Sequence, residues 1–557
     1  MTIKDPKWVF LGVGLLTVLL YLPSSRYGFV SYDDHSYVYL NENVLGGLSA
    51  RNAIWALGSC GYAQNWHPLT WISLQADASV AKLVHGRVEE DELAHVMHFH
   101  NVLLHAANAV LLLLLMMVMC KTREALVPGL LVLLWSLHPL RTEVVCWVSE
   151  RKELLCVFWM LLSLFFWVRR DEGRTATERA LSYALALVGF LLSLLAKPLA
   201  VSLPAVMFAW DWMIKERAFK VSVVKVLPFG VASAITCLLT MAAQGHAIYI
   251  GGQFTLLRRI VLSLAAPIVY VRQSVWPSGL SAFYPTHGSL PIAEAALGGL
   301  LLVGMGFVVL RWLMKRERWM ARGTFAVTWA YISLIPMLGI VKVGDQPHSD
   351  RYTYWIGCAA AVLACALLKR LPKQYEQPCW RTLASLIAAF SIVTWNRMPV
   401  WADSFALYSD SIPKSWGVQP VLAMSRILCL NGSAGLMEAE QLLREASTRV
   451  PFADIEAELA NVVAFRTERS LMKTTDGPDD AFTEVRYLAN HVLSRLPHNA
   501  AANEALGIVS MKEGQWKDAI GHLETALKDE GSLNKCESRI KDELEMCRRE
   551  LAGRKVE

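Results

Sequence analysis

Charge is scarce in this chain. Asp, Glu, Lys and Arg make up 18% of its 557 residues, against about a quarter in ordinary soluble domains. Hydrophobic residues reach 54% and the mean hydropathy is +0.35, which excludes a soluble globular protein over most of the length. The 11 cysteines include no Cys-x-x-Cys pair and no Cys/His set at metal-ligand spacing. Several (Cys120, Cys156, Cys237, Cys358, Cys365) lie in apolar runs, where a thiol behaves as a small hydrophobe. Neither a disulfide framework nor a metal site is expected. No small-residue cleavage site follows the first apolar run, so that run is expected to be a retained anchor. Ionisable residues are rare in the middle of apolar runs, which argues against an ion-coupled transporter. The net charge of +6 is modest and sits between those runs. Such placement reports membrane orientation and gives no footing for nucleic acid.

What the chain does have is apolar length. Runs approaching the size of a bilayer crossing occupy 8–22, 99–120, 125–137, 154–168, 180–196, 199–214, 221–242, 291–313, 324–340, 352–368 and 382–395. Lys4 and Lys7 before the first run put the N-terminus in the cytoplasm. A crossing at 256–276 would carry Lys315, Arg316 and Arg318 outside, against the positive-inside trend. That piece is therefore read as re-entrant or lying along the outer face. The expectation is an all-α polytopic bundle of about 11 spans over 1–397. A long first outer loop, 23–97, is rich in Trp and Tyr, with short interfacial helices near 52–57 and 69–84. The loops 138–153 and 343–351, and Lys197, share that outer face.

Residues 398–557 have ordinary soluble composition and helical periodicity. Within 503–527, Leu506, Gly507, Gly514, Trp516, Ala519, Ile520, Leu523, Ala526 and Leu527 resemble a tetratricopeptide repeat, with small residues where two helices touch. Earlier units end at Leu496-Pro497 and Val450-Pro451, suggesting about three repeat-like units. Such a stack usually offers a protein- or peptide-binding surface.

Chemistry-bearing residues gather on the outer side. Asp33 and Asp34 follow the first span closely, among Tyr32, His35 and Tyr37. They are either hydrated loop carboxylates or a general base, since neighbouring carboxylates raise one another's pKa. Arg141, Arg151, Lys152, Lys197, Lys342 and Arg351 run against the positive-inside trend. They either snorkel to the interface or ring a membrane-level cavity that holds a phosphate. His67 and His138 each precede Pro. They are structural, or they contact phosphate or, less readily, a metal.

Five stretches then occur in a telling order: Tyr32-Asp33-Asp34-His35-Ser36-Tyr37-Val38, Asn65-Trp66-His67-Pro68-Leu69-Thr70-Trp71, His138-Pro139-Leu140, Val148-Ser149-Glu150-Arg151-Lys152-Glu153 and Asp350-Arg351-Tyr352-Thr353-Tyr354. Together with the repeat tail they resemble bacterial relatives of the transmembrane and tetratricopeptide-repeat O-mannosyltransferases, of the GT-C glycosyltransferase superfold. The resemblance covers nearly the whole chain. It implies a polyprenyl-phosphate sugar donor, a hexose such as mannose, a Ser or Thr acceptor hydroxyl and inversion at the anomeric carbon. It implies Asp33, with Asp34 as alternative, as the base. Arg151, Lys152 and Arg351 match its lipid-phosphate positions, with Lys197, His67 and His138 as further phosphate contacts. Glu150, Asp350 and Tyr352 would orient these groups. The implied setting is a bacterial inner membrane, with the repeat domain on the periplasmic side to engage an acceptor protein. A glycolipid or envelope-polysaccharide acceptor, or a non-enzymatic membrane-anchored scaffold, are the competing readings.

Overall fold

A computed structural model describes residues 6–86, 88–243, 255–284, 289–338, 346–450, 452–471, 482–529 and 537–553. Helix dominates, and the described residues contain no strand. The chain divides into two compact units, Met1–Ala406 and Leu407–Glu557.

In the first unit, seven helical stretches are long and apolar enough to cross a membrane. They are Pro6–Arg26, Glu90–Met119, Ala176–Ala196, Phe219–Ala243, Ile292–Lys315, Asp350–Leu368 and Glu376–Trp401. Leu126–Ser136 and Pro139–Cys146 make an eighth if counted together, bent by 61°. This is a multi-pass membrane protein with fewer full-length spans than the about 11 expected from hydropathy. The shortfall has local causes. The 154–168 run belongs to helix Arg151–Arg169, whose first turn carries Arg151, Lys152 and Glu153. The 199–214 run is cut into a 3-10 turn Pro198–Ser202, a short helix Leu203–Ala209 and a π turn Trp210–Ile214. The 324–340 run gives a helix of 14 residues, Ala321–Leu334. Leu256–Val275, which is not one of the expected crossings, is one continuous helix carrying Arg258, Arg259 and Arg272, and it is not among the helices long and apolar enough to cross.

Packing follows the apolar pattern. The core is lined by Trp135, Trp167, Trp329 and Trp355, with Leu112, Met116, Leu164, Phe190 and Leu203. Facing outward, Leu300 and Val303 are about two-thirds exposed, as expected of side chains in contact with lipid tails. Small residues set the closest approaches. A Cβ on Gly298 would lie 1.9 Å from the Leu264 carbonyl oxygen, so helices Leu256–Val275 and Ile292–Lys315 touch backbone to backbone there.

The first loop folds on its own small core of Tyr37, Trp71, Leu74, Leu93 and Met97. Its helices are Ala50–Gly58 and Pro68–His85. The first is capped by Ser49, whose hydroxyl accepts from the Asn52 N–H at 3.1 Å. The second stops at Gly86, φ 77°. Leu48, Ile54, Leu57, Leu83 and Val84 project outward from this layer, as an interfacial surface would. The second span begins at Glu90, not near Phe99. Its 30 residues measure about 45 Å, longer than the hydrocarbon core, so its first turns stand beside the loop.

In the second unit, helices Val418–Cys429, Gly432–Arg449, Ala453–Leu471, Thr483–Leu493, Ala500–Lys512, Trp516–Lys528 and Glu537–Gly553 each pack on the next. The pair Ala500–Lys512 and Trp516–Lys528 turns at Gly514, φ 70°, and closes with Gly507 against Leu523. Glu504 is buried under a two-pronged bond from Arg539 at 2.6 and 2.8 Å.

Gly298→Ala is expected to destabilise the protein by about 1–3 kcal/mol, the usual effect of overpacking. A lowered thermal midpoint of the detergent-purified chain measures it. An unchanged midpoint would mean that the two helices separate freely at this point.

Candidate functional site

The site begins with two adjacent carboxylates that part company. Asp34 is fully buried. Its carboxylate accepts from the Val30 N–H at 3.0 Å, the Ser149 N–H at 3.0 Å and the Ser149 hydroxyl at 2.5 Å. Burial pushes its pKa up to about 6, against the pull of those three bonds. Asp34 therefore staples the first loop to the turn Val148–Glu150. Asp33 faces the other way. Its side chain is 38% exposed and lies 3.5 Å from the Lys152 ammonium.

The turn Val148–Glu150 runs straight into helix Arg151–Arg169. Successive helical residues point about 100° apart, so Arg151 and Lys152 diverge. Lys152 reaches Asp33 and Glu150, both at 3.5 Å. Its ammonium also sits over the rings of Tyr37 and Trp147, at 4.5 and 5.2 Å. Lys197 leaves the end of helix Ala176–Ala196 in extended conformation. It binds Glu150 at 3.1 Å and Glu153 at 2.8 Å. Arg351 precedes helix Thr353–Leu368. Its guanidinium binds Glu143 at 2.5 Å, and its backbone N–H donates to the same carboxylate at 2.8 Å. Its Nε lies 3.7 Å from Glu150.

Glu150 is thus the meeting point. Burial alone would raise its pKa, but Lys197, Lys152 and Arg351 outweigh burial and hold it near 2. Trp147 backs the cluster, stacked on Tyr32 with ring centres 4.6 Å apart, and Arg351 lies 5.7 Å from its ring. His67 is buried and, among the described residues, its Nδ1 has no hydrogen-bond partner. Burial, with Lys152 and Lys197, drives its pKa well below the usual value, so the imidazole is neutral.

The remaining candidates lie elsewhere or do other work. The Arg151 guanidinium is fully buried and committed to Asp77 at 2.8 Å, the Met97 carbonyl at 2.7 Å, the Ser73 hydroxyl at 3.0 Å and the Asn101 side chain. His138 caps its own turn, taking the Leu140 N–H at 3.2 Å and meeting the Ser274 carbonyl at 3.0 Å. Asp350 accepts from the Tyr284 hydroxyl at 2.6 Å. The Tyr352 ring lies 5.2 Å from the Arg351 guanidinium. Arg141 donates to the Thr353 hydroxyl at 2.8 Å beside the Trp135 and Tyr354 rings. Lys342 and residues 343–345 lie outside the described residues.

One polar cluster therefore joins Asp33, Glu150, Lys152, Lys197 and Arg351, with His67 beside them. Glu143, Glu153, Tyr37 and Trp147 complete it; Tyr37 and Glu153 lie in the quoted motifs, but none of the four was assigned a role from sequence. Glu143 and Glu153 sit in the same outer loop as the expected cations, and that was the available signal. Asp77, the Arg151 partner, was the one acid in helix Pro68–His85. Among the described residues, no group of three or more His, Cys, Asp or Glu is arranged to hold a metal ion. Chemically the cluster offers a half-exposed carboxylate beside ammonium and guanidinium groups, a combination suited to proton acceptance next to an anion. Comparison with protein-family models, with curated proteins and with solved structures finds no match to this chain.

Asp34 makes stability depend on pH. Its folded pKa of about 6 exceeds the ordinary value of about 3.9, so the folded state holds the extra proton between those limits. Its contribution is fully present below about pH 4 and is lost as pH rises through about 6. Asp34→Asn cannot titrate. The stability difference between wild type and Asp34→Asn should therefore move against the wild type from pH 4 to 6, by up to about 3 kcal/mol, and level off above. Thermal midpoints of both proteins across that range measure it, and a pH-independent difference would contradict the assignment.

Proposed function

We propose that the first unit is a membrane glycosyltransferase. It moves a sugar, a hexose such as mannose, from a polyprenyl-phosphate donor to a Ser or Thr hydroxyl of an exported protein. The observation that carries this reading is the convergence of Asp33 with Lys152, Lys197 and Arg351 at the ends of membrane helices. A lipid-borne phosphate needs cations at headgroup depth, and a water-borne hydroxyl needs a base open to solvent.

In the proposed step Asp33 takes the proton of the acceptor hydroxyl. The hydroxyl oxygen bonds to the anomeric carbon from the face opposite the phosphate. The bond from that carbon to the phosphate oxygen breaks, and its electron pair leaves with the polyprenyl phosphate. Configuration inverts. The leaving group gains negative charge in the transition state, and Lys152, Lys197 and Arg351 stabilise it. Lys152 couples the two halves of the site. Its ammonium lies 3.5 Å from Asp33, and a donor phosphate that draws it away leaves the Asp33 carboxylate open to the acceptor hydroxyl. Arg151 and His138 have no part in this version, because their polar atoms serve packing. Asp34, Glu150, Glu143 and Glu153 position the active groups.

The repeat resemblance of 503–527 supports the second unit as the acceptor-binding part. The positive-inside pattern supports a cytoplasmic N-terminus and a periplasmic second unit in a bacterial inner membrane. A second reading has one observation in its favour. Every cation of the cluster already has a carboxylate partner, as a purely structural lock in a non-enzymatic scaffold would require.

Asp33→Asn separates the two readings. Asp33 is half exposed and makes one long contact, so the variant should insert and fold. If Asp33 is the base, transfer of labelled sugar from polyprenyl-phosphate sugar to membrane-associated protein should fall by a factor of about 100 or more. Transfer by the variant at the wild-type rate would remove Asp33 from the mechanism. Absence of any transfer by the wild type across hexose donors would favour the scaffold.

A further inference from the structure

The end of helix Thr353–Leu368 away from Arg351 carries a second polar arrangement that the transfer reaction does not use. Sixteen residues of helix separate the two by about 24 Å, most of the hydrocarbon thickness. There the Arg370 guanidinium lies 5.0 Å from the centre of the Trp319 ring, and Trp319 is 60% exposed. Three residues earlier in the chain, Arg316 closes helix Ile292–Lys315. Its guanidinium sits 4.6 Å from the ring of Trp212 and 4.6 Å from that of Trp312, which themselves meet edge to face. Arg318 holds this segment to the 210–217 stretch through a two-pronged bond to Glu216 at 2.8 and 2.9 Å.

Three features of this corner suit it to an anion. Among the described residues, neither Arg316 nor Arg370 has a carboxylate partner, although both are exposed. The Trp312 indole N–H is buried and, among the described residues, has no acceptor. Arg316 also adopts the left-handed conformation, φ 51°, where a helix ordinarily ends on Gly. A side chain held in strained backbone, over two indoles, is oriented at a backbone cost that Gly would avoid. The two guanidinium groups and the Trp312 N–H are donors at the end of a lipid-exposed spanning helix, where Glu317 also keeps one buried carboxylate oxygen with no hydrogen-bond partner among the described residues. Guanidinium binds phosphate two-pronged, indole prefers the headgroup level, and basic pockets between helix ends favour acidic lipids.

We propose that Arg316 and Arg370, with Trp212, Trp312 and Trp319, form a binding site for the headgroup of an acidic phospholipid, on the membrane face opposite Arg351. The site holds the phosphate diester between the two guanidinium groups and leaves the acyl chains along helix Ile292–Lys315. It is independent of the transfer reaction and stands whether or not the first unit is an enzyme.

Native mass spectrometry of the full-length chain, titrated with phosphatidylglycerol and with phosphatidylcholine of the same acyl chains, tests it. Phosphatidylglycerol should be retained in preference. Arg316→Gly and Arg370→Gln should each weaken that retention about fivefold, and together more than either does alone. Arg316→Gly suits the left-handed backbone, so lost retention with an unchanged or raised thermal midpoint marks binding and not misfolding. If the double variant fails to fold, the two single variants decide. Arg123→Gln, an exposed arginine with no aromatic ring against it among the described residues, should leave retention unchanged. Equal retention of the two lipids would overturn the proposal. So would wild-type retention in both single variants, an equal loss in Arg123→Gln, or displacement of the lipid by inorganic phosphate at the lipid's own concentration.

Discussion

A carboxylate that cannot leave the protein interior organises the first unit. Glu150 is 1% exposed, and an ion so buried costs several kcal/mol unless opposite charge meets it. Here the compensation comes from three places in the chain: Lys152 in the next helical turn, Lys197 past the end of another helix, and Arg351 ahead of a third. Loss of any one leaves charge stranded in low dielectric, so the helices that carry them are locked at one end by electrostatics. Their other lengths are held by apolar packing and by single hydrogen bonds such as Ser163 to the Ala186 carbonyl and Trp167 to the Met207 carbonyl. The arrangement also breaks a local rule. Helix Arg151–Arg169 opens on Arg and Lys, where the helix dipole favours acids. Arg351 stands in a similar position before its own helix. A sequence that opposes its own local preferences, and compensates through distant carboxylates, marks a place where something besides folding has been selected.

Much of this was legible in the residues before any coordinates. Long apolar runs declare a membrane domain because a bilayer tolerates little else, and the interfacial helices expected near 52–57 and 69–84 fall within Ala50–Gly58 and Pro68–His85. Span counting was less secure, for a physical reason. A hydropathy run records how apolar a stretch is, whereas spanning also needs unbroken helix. The run over 199–214 keeps its apolar character through three different helical geometries. The early start of the second span at Glu90 was signalled by Glu90, Asp91 and Glu92, an acidic first turn that suits a helix N-terminus, but an apolar count passes over it.

The site was legible as a list and not as a geometry. Motif order collects the loops that carry the polar cluster, but neighbours in sequence are not neighbours in role. Asp33 and Asp34 differ in everything except position, one half exposed and one sealed. Arg151 and Lys152 diverge in the same way, because a step along a helix turns the side chain through more than a quarter of a circle. The pairings that decide these roles are remote. Glu143 and Arg351 are 208 residues apart, and no local pattern announces that contact.

How firmly each charge is held distinguishes a structural lock from a reaction site. Lys197 sits within 3.1 Å of two carboxylates, and Arg351 is bound by Glu143 through both side chain and backbone. Lys152 is different. Its two carboxylates stand at 3.5 Å, one of them half exposed, and the faces of Tyr37 and Trp147 supply the rest of its cradle. A ring face stabilises an ammonium without fixing its direction as a close carboxylate does. Lys152 can therefore exchange one anion for another at smaller cost than Lys197 or Arg351 can. The loosest pairing in the network also joins its most solvent-accessible carboxylate, on the side where Trp147 and Arg351 form the wall. In the proposed reaction this is where the donor phosphate enters, and the group it displaces from Lys152 is Asp33.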